Sequence, residues 1–177
     1  MAWTTPRTWT VGEVATAALF NEQVRDNLLA IRQHAYVRKT ADESVYNSTT
    51  LQDDDELLLP VAANETWIFD CFIRLKTDTG FTRKTKFGLR GPTGAVLLWG
   101  PAPTWSTTFS PNETALDGTQ TTSLTGSDTQ TLTVYIVGLI RNSSTAGNLK
   151  LQWAQDIAET YNHTVYADSY LVGLQCP

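Results

Sequence analysis

Cysteine is scarce in this sequence: the only two, Cys71 and Cys176, lie far apart and outside any C-x-x-C spacing. This excludes a thiolate metal cluster and a disulfide-dense scaffold, and synthesis in a reducing cytoplasm predicts two free thiols. Histidine is equally sparse. His34 and His163 have no nucleophile in a recognised arrangement and no G-x-S-x-G element beside them, so both are expected to be structural and solvent-exposed. Neither a phosphate-binding P-loop nor a G-x-G-x-x-G is present, which removes support for nucleotide chemistry. No apolar run approaches the ~20 residues of a membrane helix, and the opening Met1-Ala2-Trp3-Thr4-Thr5-Pro6 lacks the basic-then-apolar order of a secretion signal. The expectation is therefore synthesis in a cytoplasm and no membrane insertion. Basic charge is also short: a net charge of -5 argues against nucleic acid as the main partner. No cofactor and no metal are expected.

What the sequence does hold is threonine, 28 residues of 177, with 41% hydrophobic residues overall. That bias favours strands and turn-rich connections in one β domain with a short appendage. The appendage is residues 1–38. Thr16 is placed to cap a helix running to about Gln33, with Phe20, Val24, Leu28, Ile31 and Ala35 forming one apolar stripe. A single helix cannot bury such a stripe, so Trp3, Trp9, Phe20, Val24, Leu28 and Ile31 are candidate docking or oligomerisation residues. Ahead of the helix, the segment with Trp3 and Trp9 has no clean period and reads as an extended arm.

Residues 39–177 carry strand signals throughout. Trp67, Phe69, Cys71, Ile73 and Leu75 alternate with wetter positions, and Thr85, Phe87 and Leu89 do the same. Gly91-Pro92-Thr93-Gly94 reads as a tight reversal, Pro second and Gly fourth, joining strands of an antiparallel meander. Thr131–Arg141 is apolar on both faces, the pattern of a strand whose outer side is covered or faces another subunit. Thr164–Cys176 reads as one last strand. Eight to ten short strands after one amphipathic helix predict an antiparallel β-sandwich or jelly roll.

Three groups invite a functional reading. Asp53-Asp54-Asp55-Glu56 has oxygen ligands for a hard cation but lacks the EF-hand spacing, so a solvated turn is the preferred reading. The same acids could pair across a subunit boundary with Lys84, Lys86 and Arg90 of the basic hairpin. Trp105, in the Pro-, Thr- and Ser-rich stretch between Gly100 and Gln130, is the candidate for stacking on a sugar ring. A glycan hydrolase needs two facing carboxylates, and Asp117 and Asp128 in loops are poor candidates.

Trp9 to Ala30 follows the pattern T-x-G-x-V-x-T-A-x-x-x-N-x-x-x-R-D-N through Thr10, Gly12, Val14, Thr16, Ala17, Asn21, Arg25, Asp26 and Asn27. It resembles a segment near the N-terminus of structural proteins of tailed bacteriophages. Lys39–Trp67 and Gly138–Gln155 are similar to the same class. The resemblance implies a non-enzymatic virion component with no catalytic residues, made in the host bacterial cytoplasm. Its implied partners are further copies of itself, as a homotrimer, and other virion proteins such as the major capsid protein or tail proteins. The favoured expectation is a capsid decoration, cement or head-fibre protein docking through its N-terminal segment. The alternative is a tail fibre or tail-tip protein binding a host surface glycan.

Overall fold

The computed structural model describes residues 4–28, 34–77, 84–101, 112–115, 119–125 and 131–176. The chain divides into two compact units, Met1–His34 with Pro177 and Ala35–Cys176.

In the first unit, Thr16 caps the helix as its sequence position requires: its hydroxyl oxygen accepts the Leu19 amide at 3.3 Å. Helix α1, Ala17–Phe20, runs into a π-helical stretch, Asn21–Asp26. Ala35 does not belong to the helical stripe. It lies in strand β1, His34–Arg38, where exposed and half-buried positions alternate, so a period of two replaces the helical period there.

The second unit is a two-sheet antiparallel β-sandwich. After β1 come β2 (Glu43–Tyr46), β3 (Gln52–Val61), β4 (Thr66–Thr77), β5 (Lys84–Arg90) and β6 (Val96–Pro101). They are followed by β7 (Asn112–Ala115), β8 (Thr119–Thr125), β9 (Leu132–Arg141), β10 (Gly147–Gln155), β11 (Asn162–Val165) and β12 (Tyr170–Cys176). The larger sheet has the order β1-β12-β4-β9-β6-β7, with β11 beside the end of β4 and β2 beyond it; the smaller is β3-β10-β5-β8. Setting aside the β6–β7 and β2–β11 pairs, the orders β1-β12-β4-β9 and β3-β10-β5-β8 are those of a jelly roll.

The meander expectation fails in this topology. Both long edges of β5 are occupied, by β10 and β8, so β6 cannot pair with it and crosses to the larger sheet against β9. The turn itself sits one residue later than expected: the Ala95 amide donates to the Pro92 carbonyl at 3.0 Å and Gly94 takes φ +82° at the third position, a conformation glycine adopts at no steric cost. The final strand is also two strands, broken at Tyr166–Ser169, where Asp168 has φ +66° and the Ser169 hydroxyl donates to the Tyr166 carbonyl at 2.8 Å.

The core fills the space between the sheets. Leu57, Leu59, Phe87, Leu89, Leu149, Leu151 and Trp153 from the smaller sheet join one buried cluster with Phe69, Cys71, Ile73, Leu75, Ile136, Ile140 and Leu171 from the larger. Each such side chain contributes about 1.5–3 kcal/mol by leaving water. His163 corrects another expectation. It is buried in β11, with its Nδ1 2.8 Å from the Thr85 hydroxyl, because its strand position points into the core.

Candidate functional site

Three places in the structure bear on function. The first is the N-terminal unit, where the arm is not simply extended. Thr10-Val11-Gly12-Glu13 forms a turn closed by the Glu13 amide donating to the Thr10 carbonyl at 3.1 Å, with Gly12 at φ +83°. The chain ahead of the turn returns along the helix. Asn27, almost fully buried, accepts the Thr4 amide at 2.9 Å and donates to the Thr4 carbonyl at 2.9 Å; the Arg7 amide donates to the Gln23 side chain at 3.0 Å. Arg7 also pairs with Glu13 at 2.5 Å and lies 5.1 Å above the Trp9 ring. Thr10, Gly12, Thr16 and Asn27, all fixed positions of the pattern in the sequence, are thus the residues that build this hairpin of arm and helix.

The hairpin presents apolar groups to water. Trp9 is 43% exposed, Phe20 53%, Val24 44% and Leu28 61%, and the Trp9 and Phe20 rings stand 6.3 Å apart. These exposed aromatic and aliphatic side chains thus stand on a hydrogen-bonded frame. Trp3 and Ile31 lie outside the described residues.

The second place is the acidic run. It is not a solvated turn but part of β3, where the pairing with β10 jumps from Leu58↔Lys150 to Asp53↔Gln152 and leaves Asp54 to Leu57 bulged out of register. Asp54 is fully buried and uses its Oδ1 to accept the Glu56 amide at 3.0 Å and the Leu57 amide at 2.9 Å, closing the bulge. The buried Lys39 ammonium reaches Asp54 at 3.0 Å and Glu43 at 2.6 Å. Burial alone would lower the pKa of Lys39; its hydrogen bonds and charge contacts with Glu43 and Asp54 outweigh that and raise it. Asp53 pairs with Lys150 at 2.7 Å and accepts Gln152 at 2.7 Å. Burial pushes its carboxyl up, but these bonds, with the charges of Lys150 and Arg90, hold it below the ordinary range. Glu56 accepts the Thr40 hydroxyl and the Thr40 and Ala41 amides, which lowers its pKa as well.

Three of the four acids therefore find partners in their own chain, and only the Asp55 carboxylate stands exposed. Of the basic candidates, Arg90 is exposed on β5 beside Lys150, Lys86 is half-buried, and the Lys84 side chain lies outside the described residues. Among the described residues no group of three or more His, Cys, Asp or Glu is placed to hold a metal ion. Trp105, Asp117 and Asp128 lie outside the described residues.

The third place is the outer face of the larger sheet, legible in the sequence only in β9. Register lines up Leu174, Ile68, Leu139 and Leu98 across four strands, and beside them Tyr170, Phe72 and Tyr135. Phe72 stacks on Tyr170 with centroids 5.1 Å apart, and Tyr36 adds a third ring at 6.0 Å. Asp70 lies between the two rows; burial first and the Asp70 charge second raise the pKa of the Tyr135 phenol. The cysteines sit on opposite sides of this sheet. Cys71 faces the core beside Leu171 and burial pushes its thiol well up, whereas Cys176 pairs in register with Thr66 on the outer side, and both are free.

Compared with known proteins, the chain matches no protein-family model and no curated sequence.

Proposed function

We propose that this protein is a non-enzymatic structural component of a bacteriophage virion, in which a self-associating jelly-roll body is attached to a larger assembly by its N-terminal arm-and-helix unit. The observation that carries the reading is the exposed set Trp9, Phe20, Val24 and Leu28 held on a frame of internal hydrogen bonds. Holding four large apolar side chains in water is unfavourable by their transfer free energy, and the cost is recovered when a partner covers them. The likeness of Thr10 to Asn27 to a phage virion segment supports the identity of that partner as another virion protein, capsid or tail. The favoured form is a trimeric decoration, cement or head-fibre protein made in the bacterial cytoplasm and carried on the particle. The glycan-binding alternative rests on Trp105, and no described residue adds to it.

The test is incorporation. Phage carrying Phe20→Ser, Val24→Ser and Leu28→Ser together should yield a soluble, folded protein that is missing from purified particles. Normal copy number in those particles would overturn the reading.

A further inference from the structure

We infer that the outer face of the larger sheet packs against a second copy of this chain. The inference deepens the self-association in the proposed function and does not depend on which part of the particle carries the protein.

One face of an antiparallel sheet in a lone sandwich is ordinarily polar, because its alternate residues meet water. Here the middle of that face is apolar on four adjacent strands, interrupted by Asp70 and bounded by Thr66, Arg74, Thr133 and Arg141. Ile68 is 44% exposed, Val96 40%, Tyr135 38% and Leu174 37%, in rows completed by half-buried neighbours. Contiguous exposed apolar patches beyond a few hundred Å² mark interaction surfaces, and these residues lie side by side and not scattered. A standard interface takes roughly 800 Å² from each partner, which such a face supplies together with its polar rim.

Its anatomy fits a contact between like surfaces. Aromatic rings of Phe72, Tyr135 and Tyr170 occupy the middle and charge is nearly absent there, as at the centres of homomeric interfaces. The one central acid, Asp70, is exposed, in register with Val172 and Val137. Arg141 is exposed towards one end of the same face, so a second copy brings its cation towards Asp70 from a surface identical to the one it covers; Arg74, towards the other end, is held in its own chain by the Ala167 carbonyl at 3.1 Å and by Asp168 at 3.7 Å. A four-strand face also suits sheet-on-sheet packing, which a copy of the same sheet supplies.

The experiment measures molar mass by light scattering of the full chain across the micromolar range. The wild type is expected at a multiple of 19.6 kDa. Ile68→Lys with Leu174→Lys, at positions open enough for a lysine to reach water, is expected at the mass of one chain with an unchanged circular-dichroism spectrum. Should that variant not fold, Ile68→Thr with Leu174→Thr keeps the strand preference and is expected to raise the dissociation midpoint tenfold or more. A wild type that is one chain at every concentration overturns this inference and the self-association in the proposed function. A multimer that neither variant weakens overturns only this surface. Loss of the multimer in the Phe20, Val24 and Leu28 serine variant, with the sheet variants unaffected, assigns the contact to the N-terminal unit and likewise overturns it.

Discussion

The Lys39 ammonium lies 3.0 Å from the Asp54 carboxylate, and both side chains are sealed from solvent. Glu43 closes the group from the other side at 2.6 Å. The Lys39 backbone also ties two distant turns together, donating to the Ser169 carbonyl at 2.8 Å and accepting the Asp168 amide at 2.9 Å. Removing one member of a buried ion pair strands the other, at about 3–5 kcal/mol. Lys39→Met should therefore lower unfolding stability by about 3 kcal/mol in urea titration, and a loss under about 1 kcal/mol would show that Asp54 finds other compensation.

The same group sets an alkaline limit. The pKa of Lys39 is raised in the folded chain, so the folded state holds this proton more tightly than the unfolded one. Its contribution is complete below the unfolded value near 10.5 and fades as pH rises through the higher folded value. Thermal unfolding followed from pH 9 upward should show a fall in Tm that is shallower in Lys39→Met, once the bulk lysine titration common to both is subtracted.

Asp53 acts at the other end of the scale. Its pKa is lowered, so its contribution is present above the unfolded value of 3.8 and is lost as pH falls through the folded value. Asp53 and Lys150 are each about a third exposed, and solvent screening limits the pair to under about 1 kcal/mol. Asp53→Asn should cost that little at pH 7 and flatten the stability curve below pH 4; an unchanged acid limb would remove Asp53 from the acid response.

Asn27→Ala tests the N-terminal frame. The change leaves the Thr4 amide and carbonyl without the partner each has at 2.9 Å, a local loss of about 1–3 kcal/mol. Amide exchange at Thr4 and Arg7 should accelerate while the melting of the β body stays within about 1 °C of wild type. Protection that persists at Thr4 would mean that the arm is held by something other than Asn27.

Gly138→Ala tests the packing of β9 between β4 and β6. A methyl group there would run into the Phe69 ring, the Leu98 carbonyl oxygen at 2.5 Å and the Trp99 Cβ at 2.7 Å. Since one of those atoms is backbone, the strand itself must shift, and the expected loss is about 1–3 kcal/mol or more by chemical denaturation. A neutral result would show β9 to be less tightly placed than its register implies.

The strands with one wet and one dry face were legible residue by residue. The β4 alternation of Trp67, Phe69, Cys71, Ile73 and Leu75 is the buried set, as is that of Thr85, Phe87 and Leu89 in β5, because a period of two assigns faces without knowledge of neighbours. Thr16 was equally legible, since a cap depends on residues three positions away. The acidic run misled. Four acids in a row imply a wet turn by composition, but the cation that permits burial of Asp54 lies 15 residues earlier, and no local pattern marks Lys39 as its partner. His163 was misplaced for the same kind of reason, its depth being set by β5 and Thr85 78 residues away.

By itself the sequence determined the buried faces of β4 and β5, where the helix begins and that apolar residues at helical spacing precede the β body, because propensity, alternation and capping act over a few residues. Only the tertiary structure decided that β5 and β6 part into different sheets, that the arm folds back through Asn27, and that Ile68, Leu139, Leu98 and Leu174 meet in one row. Those outcomes depend on which strand edges remain free to pair and on contacts across long sequence separations, and no window of neighbouring residues contains that information.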